Sequence, residues 1–154
     1  MLQEILNIWK KLNENNVRYL TIGGLAVNIY GYTRNTGDID ILIDDTSENR
    51  KNLRKAFSDI GIGDFPEIET MQFVAGFTDF TIAYGLRLDV MTSIKGLESE
   101  SFESLLNTAT IVTLKQIPVY FLDYDNLIKA KKATSRPKDL LDIEELKKLN
   151  DNKD

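Results

Sequence analysis

Two glycines and three aspartates are the residues of this chain whose types and spacing could do chemistry. Gly23-Gly24 ends a short apolar run, Asp38-Ile39-Asp40 begins fourteen residues past Gly24, and Asp89 interrupts the apolar run Leu86-Arg87-Leu88-Asp89-Val90. A glycine turn that opens a helix can hold phosphates on its backbone N–H groups. Three convergent carboxylates can hold two divalent metal ions. Together they describe a site for nucleoside triphosphate and phosphoryl-transfer chemistry.

Strand geometry says how the carboxylates could meet. Alternate residues of a strand share a face, so Asp38, Asp40 and Leu42 point one way and Ile39, Ile41 and Ile43 the other. Arg87, Asp89 and Met91 likewise share a face, while Leu86, Leu88 and Val90 are expected to bury. If the two strands are neighbours, Asp89 joins Asp38 and Asp40. Three like charges in one place repel unless a cation neutralises them. Mg²⁺ suits such a place, being hard, oxygen-seeking and usually held by few carboxylates plus substrate phosphates. Taken singly, an Asp-x-Asp at a strand start reads as a solvated turn and a Gly-Gly pair as a tight turn. Order and setting raise them above that reading. A haloacid-dehalogenase-type phosphatase with an Asp nucleophile would need an apolar strand before the aspartates, whereas here polar residues precede them and the apolar run follows.

Composition narrows the chemistry further. The chain has 154 residues, 42% of them hydrophobic, which suits one domain with an ordinary core. It contains no histidine and no cysteine. Ser-His and Cys-His catalysis, disulfides and thiolate zinc are therefore excluded, and acid–base work falls to Asp, Glu, Lys, Tyr or metal-bound water. No apolar run approaches a membrane span, and no signal-peptide pattern opens the sequence, so no membrane partner is expected and a cytoplasmic location is. The net charge of −5 argues against a long duplex nucleic acid as partner, although Lys129, Lys131, Lys132, Arg136 and Lys138 form one basic cluster.

The elements that must position these residues follow from periodicity. Leu2, Ile5, Leu6, Trp9 and Leu12 mark an amphipathic helix, broken by Asn13 to Asn16. A strand is expected over Val17–Ile22, a helix from the glycines to Gly31, and a strand over Asp38–Ile43. A helix follows over Ser47–Ile60, then a loop from Gly61 to Pro66. The stretch from Glu69 to Tyr84 reads as one or two strands, Met71–Ala75 and Phe77–Ala83, with Phe77 and Phe80, like Trp9, in the core. Leu86–Met91 is a strand, and Phe102, Leu105 and Leu106 suggest a short helix. Two short strands fall at Ile111-Val112 and Val119–Phe121, then helices at Tyr124–Ala133 and Pro137–Leu149, with a frayed tail over Asn150–Asp154. The expected architecture is a single α/β (α+β) domain over 1–154. Its core spans about 17–122, a small mixed sheet with helices against one face, and C-terminal helices occupy about 123–149.

The residues carry a resemblance. Gly23-Gly24-Leu25-Ala26, Gly31, Arg34, Thr36 and Asp38-Ile39-Asp40-Ile41 resemble the nucleotidyltransferase superfamily with the polymerase-beta-like fold. Within it they are most similar to the small bacterial branch related to abortive-infection type II toxins. The resemblance continues at Arg87-Leu88-Asp89-Val90-Met91-Thr92-Ser93. It closes at Leu127-Ile128, Lys131, Arg136-Pro137-Lys138-Asp139-Leu140 and Asp142-Ile143, covering about 17–146 with a weak middle.

The resemblance implies Mg²⁺-dependent nucleotidyl transfer from a nucleoside triphosphate, with two ions and Mn²⁺ as a substitute. It assigns Asp38, Asp40 and Asp89 to metal and catalysis. Gly23 and Gly24 would cradle phosphates, Arg34 and Thr36 would shape the loop at the nucleotide, and Lys131 would neutralise the leaving pyrophosphate. Lys138 and Asp139 read instead as structural, capping or pairing within the last helix. The chain departs from the pattern in having Gly24 where many members have Ser, and Ser135 where the branch often has Gly. The acceptor stays open among a tRNA end, a protein side chain and a small antibiotic-like molecule. A toxin-like branch implies an antitoxin partner. A non-catalytic binding or regulatory module of the same fold is the rival reading, as is a nucleotide or metal sensor without turnover.

Overall fold

The amphipathic start of the chain winds into α1 (Leu2–Glu14), which buries Leu6, Ile8, Trp9 and Leu12 and leaves its other face wet. The computed structural model describes residues 2–82 and 85–152. After α1 come β1 (Tyr19–Ile22), α2 (Gly23–Ile29), β2 (Asp38–Ile43) and α3 (Ser47–Ile60). A 3₁₀ turn at Pro66–Glu69 leads to β3 (Asp79–Thr81) and β4 (Arg87–Met91). The chain closes with α4 (Phe102–Asn107), the hairpin β5 (Thr110–Leu114) and β6 (Ile117–Phe121), then α5 (Tyr124–Thr134) and α6 (Pro137–Asp151).

The strands form one mixed sheet in the order β3-β4-β2-β1-β6-β5. β1 runs antiparallel to β2, while β2 and β4 are parallel, as are β1 and β6. The expected α/β class with a mixed sheet is the one observed, and α5 and α6 pack on each other as the C-terminal helical segment. α1 packs against α3 and β6, and α2 against β1 and β2. The isoleucine face of β2 is fully inside, with Ile39 and Ile41 at 0% exposure. Its other face is open only at one end. Asp38 is exposed, but Leu42 is buried in a region that Leu97 and Leu105 of the α4 side also line.

Local chemistry sets the boundaries. Thr46 caps α3 by accepting from the Asn49 N–H at 3.1 Å, and Gly61 ends it in the left-handed conformation. The first strand begins at Tyr19, later than the expected Val17, because Val17 N–H still donates to Leu12 C=O at 2.9 Å in the turn that closes α1. α6 runs on to Asp151, past the expected end, while Lys153 and Asp154 lie outside the described residues.

The middle of the chain differs most from expectation. No strand forms over Met71–Ala75, and the strand expected over Phe77–Ala83 shrinks to Asp79–Thr81, with Ala83 outside the described residues. The segment 74–78 is instead a turn, in which the N–H groups of Phe77 and Thr78 both donate to Val74 C=O and Gly76 takes φ +80°. This turn points Phe77 outward at 83% exposure, so Phe77 is not the core residue its type suggests. Phe80 does pack inward, edge-on to Phe57 with ring centres 4.7 Å apart. Trp9 is buried as expected and donates from Nε1 to Thr21 Oγ1 at 3.1 Å.

Candidate active site

The open end of β2 meets β4 in parallel register, so Asp40 sits directly beside Asp89 and Asp38 beside Arg87. Alternation puts Asp38, Asp40 and Asp89 on one side, over a cleft of about 510 Å³ that all three line. That volume lies within the ordinary range of small-molecule sites. Gly23, Ala75, Gly76 and Ser93 contribute to the walls, and Lys131, Arg136, Lys138 and Asp139 face the carboxylates from α5 and α6.

Burial and neighbouring like charges act together on these carboxyls. Burial, reinforced by the charges of Asp89 and Asp38, pushes the Asp40 carboxyl up to about 6, against the opposing pull of Lys138 and Lys131. Burial also raises Asp89, with Asp79 and Asp38 adding to the rise and the Gly76 N–H and Arg87 opposing it. Asp89 Oδ2 accepts from Gly76 N–H at 2.9 Å, whereas Asp89 Oδ1 is buried with no hydrogen-bond partner. An orphaned carboxylate oxygen beside a carboxyl that resists ionisation is a place short of cations.

The glycine turn is fitted to this corner. Gly23 has φ +68°, and a Cβ placed there would stand 2.1 Å from Asp40 Oδ2, so only glycine admits the carboxylate at that approach. Gly24 does not line the cleft. It is buried against the loop before β2, where a Cβ would meet Thr36 Oγ1 at 2.8 Å and Arg34 Nη1 at 3.4 Å. Arg34 and Thr36 are likewise outside the cleft lining and form its backing. Thr36 Oγ1 donates to Asp38 C=O at 3.1 Å, and Arg34 N–H donates to Asn28 Oδ1 at 3.0 Å.

Lys131 is buried at 6% exposure between two aspartates of α6, with Nζ 2.9 Å from Asp142 Oδ2 and 3.3 Å from Asp139 Oδ1. It lines the cleft, but its charge is already answered. Asp139 has the capping role expected of it, accepting from Arg136 N–H at 3.1 Å, and it also takes Thr134 Oγ1 at 2.7 Å. Lys138 departs from its expected structural role. It is exposed, lines the cleft and acts on Asp40 through its charge, with no ion pair among the described residues. Lys129 and Lys132 face solvent. Ser135 fills its glycine-like position by adopting the left-handed conformation itself, at φ +51°, between α5 and α6.

Sequence reasoning missed the wall made by Ala75 and Gly76, having put Ala75 at the end of one strand and Gly76 in the gap before the next. It also missed Lys95, which lines the cleft from the loop after β4. A glycine interrupting the stretch Val74-Ala75-Gly76-Phe77 was the available signal for the first. Nothing in local sequence distinguishes Lys95 from a solvated lysine.

The sheet that carries this cleft can be set beside those of known proteins. The chain belongs to the family described as nucleotidyltransferase of unknown function (DUF6036), whose profile matches residues 1–152. Among solved structures, the lincomycin-bound lincosamide antibiotic adenylyltransferase LnuA is similar with a TM-score of 0.63 at 14% identity, over 97% of this chain and 98% of that one. The antibiotic-resistance factor ANT(2'')-Ia is similar with a TM-score of 0.61 at 18% identity, over 96% of this chain and 89% of that one. A putative nucleotidyltransferase from Thermotoga maritima gives 0.60 at 20% identity, over 98% and 93%. No curated protein matches the chain. At these identities the structural neighbours establish the fold, and the family establishes the transferase class. No helix among the described residues is long and apolar enough to cross a membrane.

Proposed function

We propose that this chain is a Mg²⁺-dependent nucleotidyltransferase that moves a nucleoside monophosphate from a triphosphate to an acceptor hydroxyl, releasing pyrophosphate. The observation that carries the reading is the pairing of Asp40 with Asp89 in one cleft, where Asp40 is pushed up to about 6 and Asp89 Oδ1 has no partner. Among the described residues, no three acidic side chains are drawn close enough to enclose a metal ion by themselves. Mg²⁺ is the ion proposed on the chemistry of the donors, since it keeps waters and takes substrate phosphates alongside a few carboxylates. Asp38, Asp40 and Asp89 would hold it. When bound, it supplies Lewis-acid stabilisation of the attacking and leaving oxygens of an in-line displacement, a role Mn²⁺ can share.

The chain's own residues do the rest. Gly23 keeps the cleft wall clear beside Asp40, so that a phosphate can approach the backbone there. Lys138, which lines the cleft and acts on Asp40 through its charge, offers the uncommitted ammonium to balance charge on the departing pyrophosphate. Asp89, beside Asp40 and lining the same cleft, would accept the proton of the acceptor hydroxyl as its oxygen attacks the α-phosphorus and pyrophosphate leaves. The acceptor class is open to a small molecule, a tRNA end or a protein side chain. Small hydroxylated compounds come first for screening, because LnuA is described as a lincosamide adenylyltransferase in its lincomycin-bound state.

The test is incubation of the protein with each labelled nucleoside triphosphate, Mg²⁺ and cell extract, followed by identification of the labelled product and assay of pyrophosphate. Label transfer that needs Mg²⁺ and is lost in Asp40→Asn is the expected result. Binding of Mg²⁺–triphosphate with no pyrophosphate released from any acceptor would favour the non-catalytic module.

A further inference from the structure

Asp142 lies outside the cleft lining, yet it touches both sides of the site. It sits on α6 at 1% exposure and both of its oxygens are used. Arg34 grips it in a two-pronged contact, Nε to Oδ1 at 2.9 Å and Nη2 to Oδ2 at 3.0 Å. Lys131 Nζ reaches the same Oδ2 at 2.9 Å. Arg34 belongs to the loop that runs into Asp38 and lies against Gly24, while Lys131 belongs to α5 and lines the opposite wall. One buried carboxylate thus ties α6 both to its neighbour α5 and to a loop 108 residues earlier in the chain.

We propose that Asp142 is a positioning residue that fixes the glycine-turn side of the cleft relative to the Lys131 side, so that a triphosphate meets a preset spacing. Two features of the geometry argue for a brace over a simple stabilising pair. The guanidinium is held in the rigid fork that a carboxylate matches in only one plane, which fixes orientation as well as distance. The cation at Oδ2 comes from a different helix, so moving either partner disturbs the other. Lys131 also has a second anchor in Asp139, so loss of Asp142 leaves the lysine paired and the protein folded while the link to the Arg34 loop is cut.

The proposal rests on the transferase reading, and two measurements separate them. The first is amide hydrogen exchange over 32–38 and 128–134 in metal-free protein, for wild type, Asp142→Asn and Arg34→Lys. Both variants should accelerate exchange in the 32–38 loop. The second is calorimetric titration of folded protein with Mg²⁺ and a non-hydrolysable ATP analogue. Both variants should raise Kd by roughly tenfold, since small misplacements of binding groups carry large costs. Asn49→Ala, which removes the buried α3 side chain hydrogen-bonded to the backbone of Arg18 and Asp44, should lower Tm without moving Kd. Asp142→Glu should recover part of the affinity. Unchanged exchange over 32–38, or an unchanged Kd in variants that melt lower, overturns the brace. Wild-type protein that binds no triphosphate refutes the transferase reading instead, and the exchange data then decide the brace alone.

Discussion

Two aspartate clusters flank one cleft and are treated in opposite ways. On the sheet side, Asp38, Asp40 and Asp89 stand together, with Asp40 pushed up to about 6 and one oxygen of Asp89 unpartnered. On the helix side, Asp139 and Asp142 are still more buried, at 0% and 1% exposure, yet Arg34, Lys131 and Arg136 answer their charge. Burial works to raise the Asp139 carboxyl too. Hydrogen bonds from Arg136 and Thr134, with the charge of Lys131, outweigh it and hold Asp139 well below the usual carboxylate range. Burial alone therefore does not mark the site. The chain supplies fixed cations where carboxylates brace the fold and leaves them out where the carboxylates face an open cleft.

The largest expected effect tests the sheet-side cluster. Asp40→Asn should lower pyrophosphate release by roughly 10²–10³-fold or more, the scale seen when one electrostatic contributor to a transition state is removed. Its far-ultraviolet circular dichroism should match wild type. Undiminished metal-dependent transfer would sink the assignment of Asp40. The next effect tests the helix-side cluster. Lys131→Met strips a cation from two buried carboxylates and should cost about 3–5 kcal/mol in denaturant unfolding, as breaking a buried pair does. A smaller loss, within about 1 kcal/mol, would mean that Arg34 and Arg136 suffice and that Lys131 is free to serve the nucleotide.

Much of this contrast was legible in the sequence, and the missing part has a physical cause. Period-two alternation placed Asp38 and Asp40 on the face opposite three isoleucines, and those isoleucines are in the core. The helix over Ser47–Ile60 was legible because Leu53, Ala56, Phe57 and Ile60 recur at helical spacing before the loop at Gly61, and the structure adds Thr46 as its cap. By contrast, nothing local tells which of Lys131 and Lys138 is committed. That depends on how α5 docks on α6, which is a tertiary fact. The residues 71–78 were misread because Val74, Ala75 and Phe77 look strand-like one at a time. The turn that exposes Phe77 is set by Gly76 and by the Val74 N–H donating to Thr78 Oγ1 at 2.7 Å. Local propensity loses to such tertiary and turn constraints routinely.

The pH dependence of stability should separate the clusters by sign. The folded pKa of Asp40 is raised from 3.8 to about 6, so between those values the folded state holds more protons than the unfolded state and stability falls as pH rises. In metal-free protein, Asp40→Asn should exceed wild type by up to about 2–3 kcal/mol above about pH 6 and converge with it near pH 4. Asp139 has a depressed folded pKa, so its contribution is full above the ordinary carboxylate value and is lost as pH falls toward the folded value. Asp139→Asn should therefore be the less stable protein at neutral pH and approach wild type in acid. Urea unfolding from pH 2 to 8 reads both differences, and equal signs at neutral pH would erase the distinction between the clusters.

The smallest effect is the sharpest discriminator, because it is a predicted near-absence. Asp89 contributes repulsion with Asp38 and Asp40, and its one hydrogen bond is accepted from the Gly76 N–H at 2.9 Å. Asn at this position keeps an oxygen able to accept that bond and removes the charge. In EDTA, Asp89→Asn should therefore melt within about 1 kcal/mol of wild type or above it, as a substitution that opens no cavity and strands no charge does. Its neighbour Leu88 has 0% exposure, and Leu88→Ala should cost about 2–5 kcal/mol as a buried large-to-small change. Pyrophosphate release in Mg²⁺ should invert the order, collapsing in Asp89→Asn and persisting in whatever fraction of Leu88→Ala stays folded. A strongly destabilised Asp89→Asn protein would make Asp89 a structural partner like Asp139. The sheet-side cluster would then lose the feature that sets it apart, a carboxylate whose charge the fold does better without.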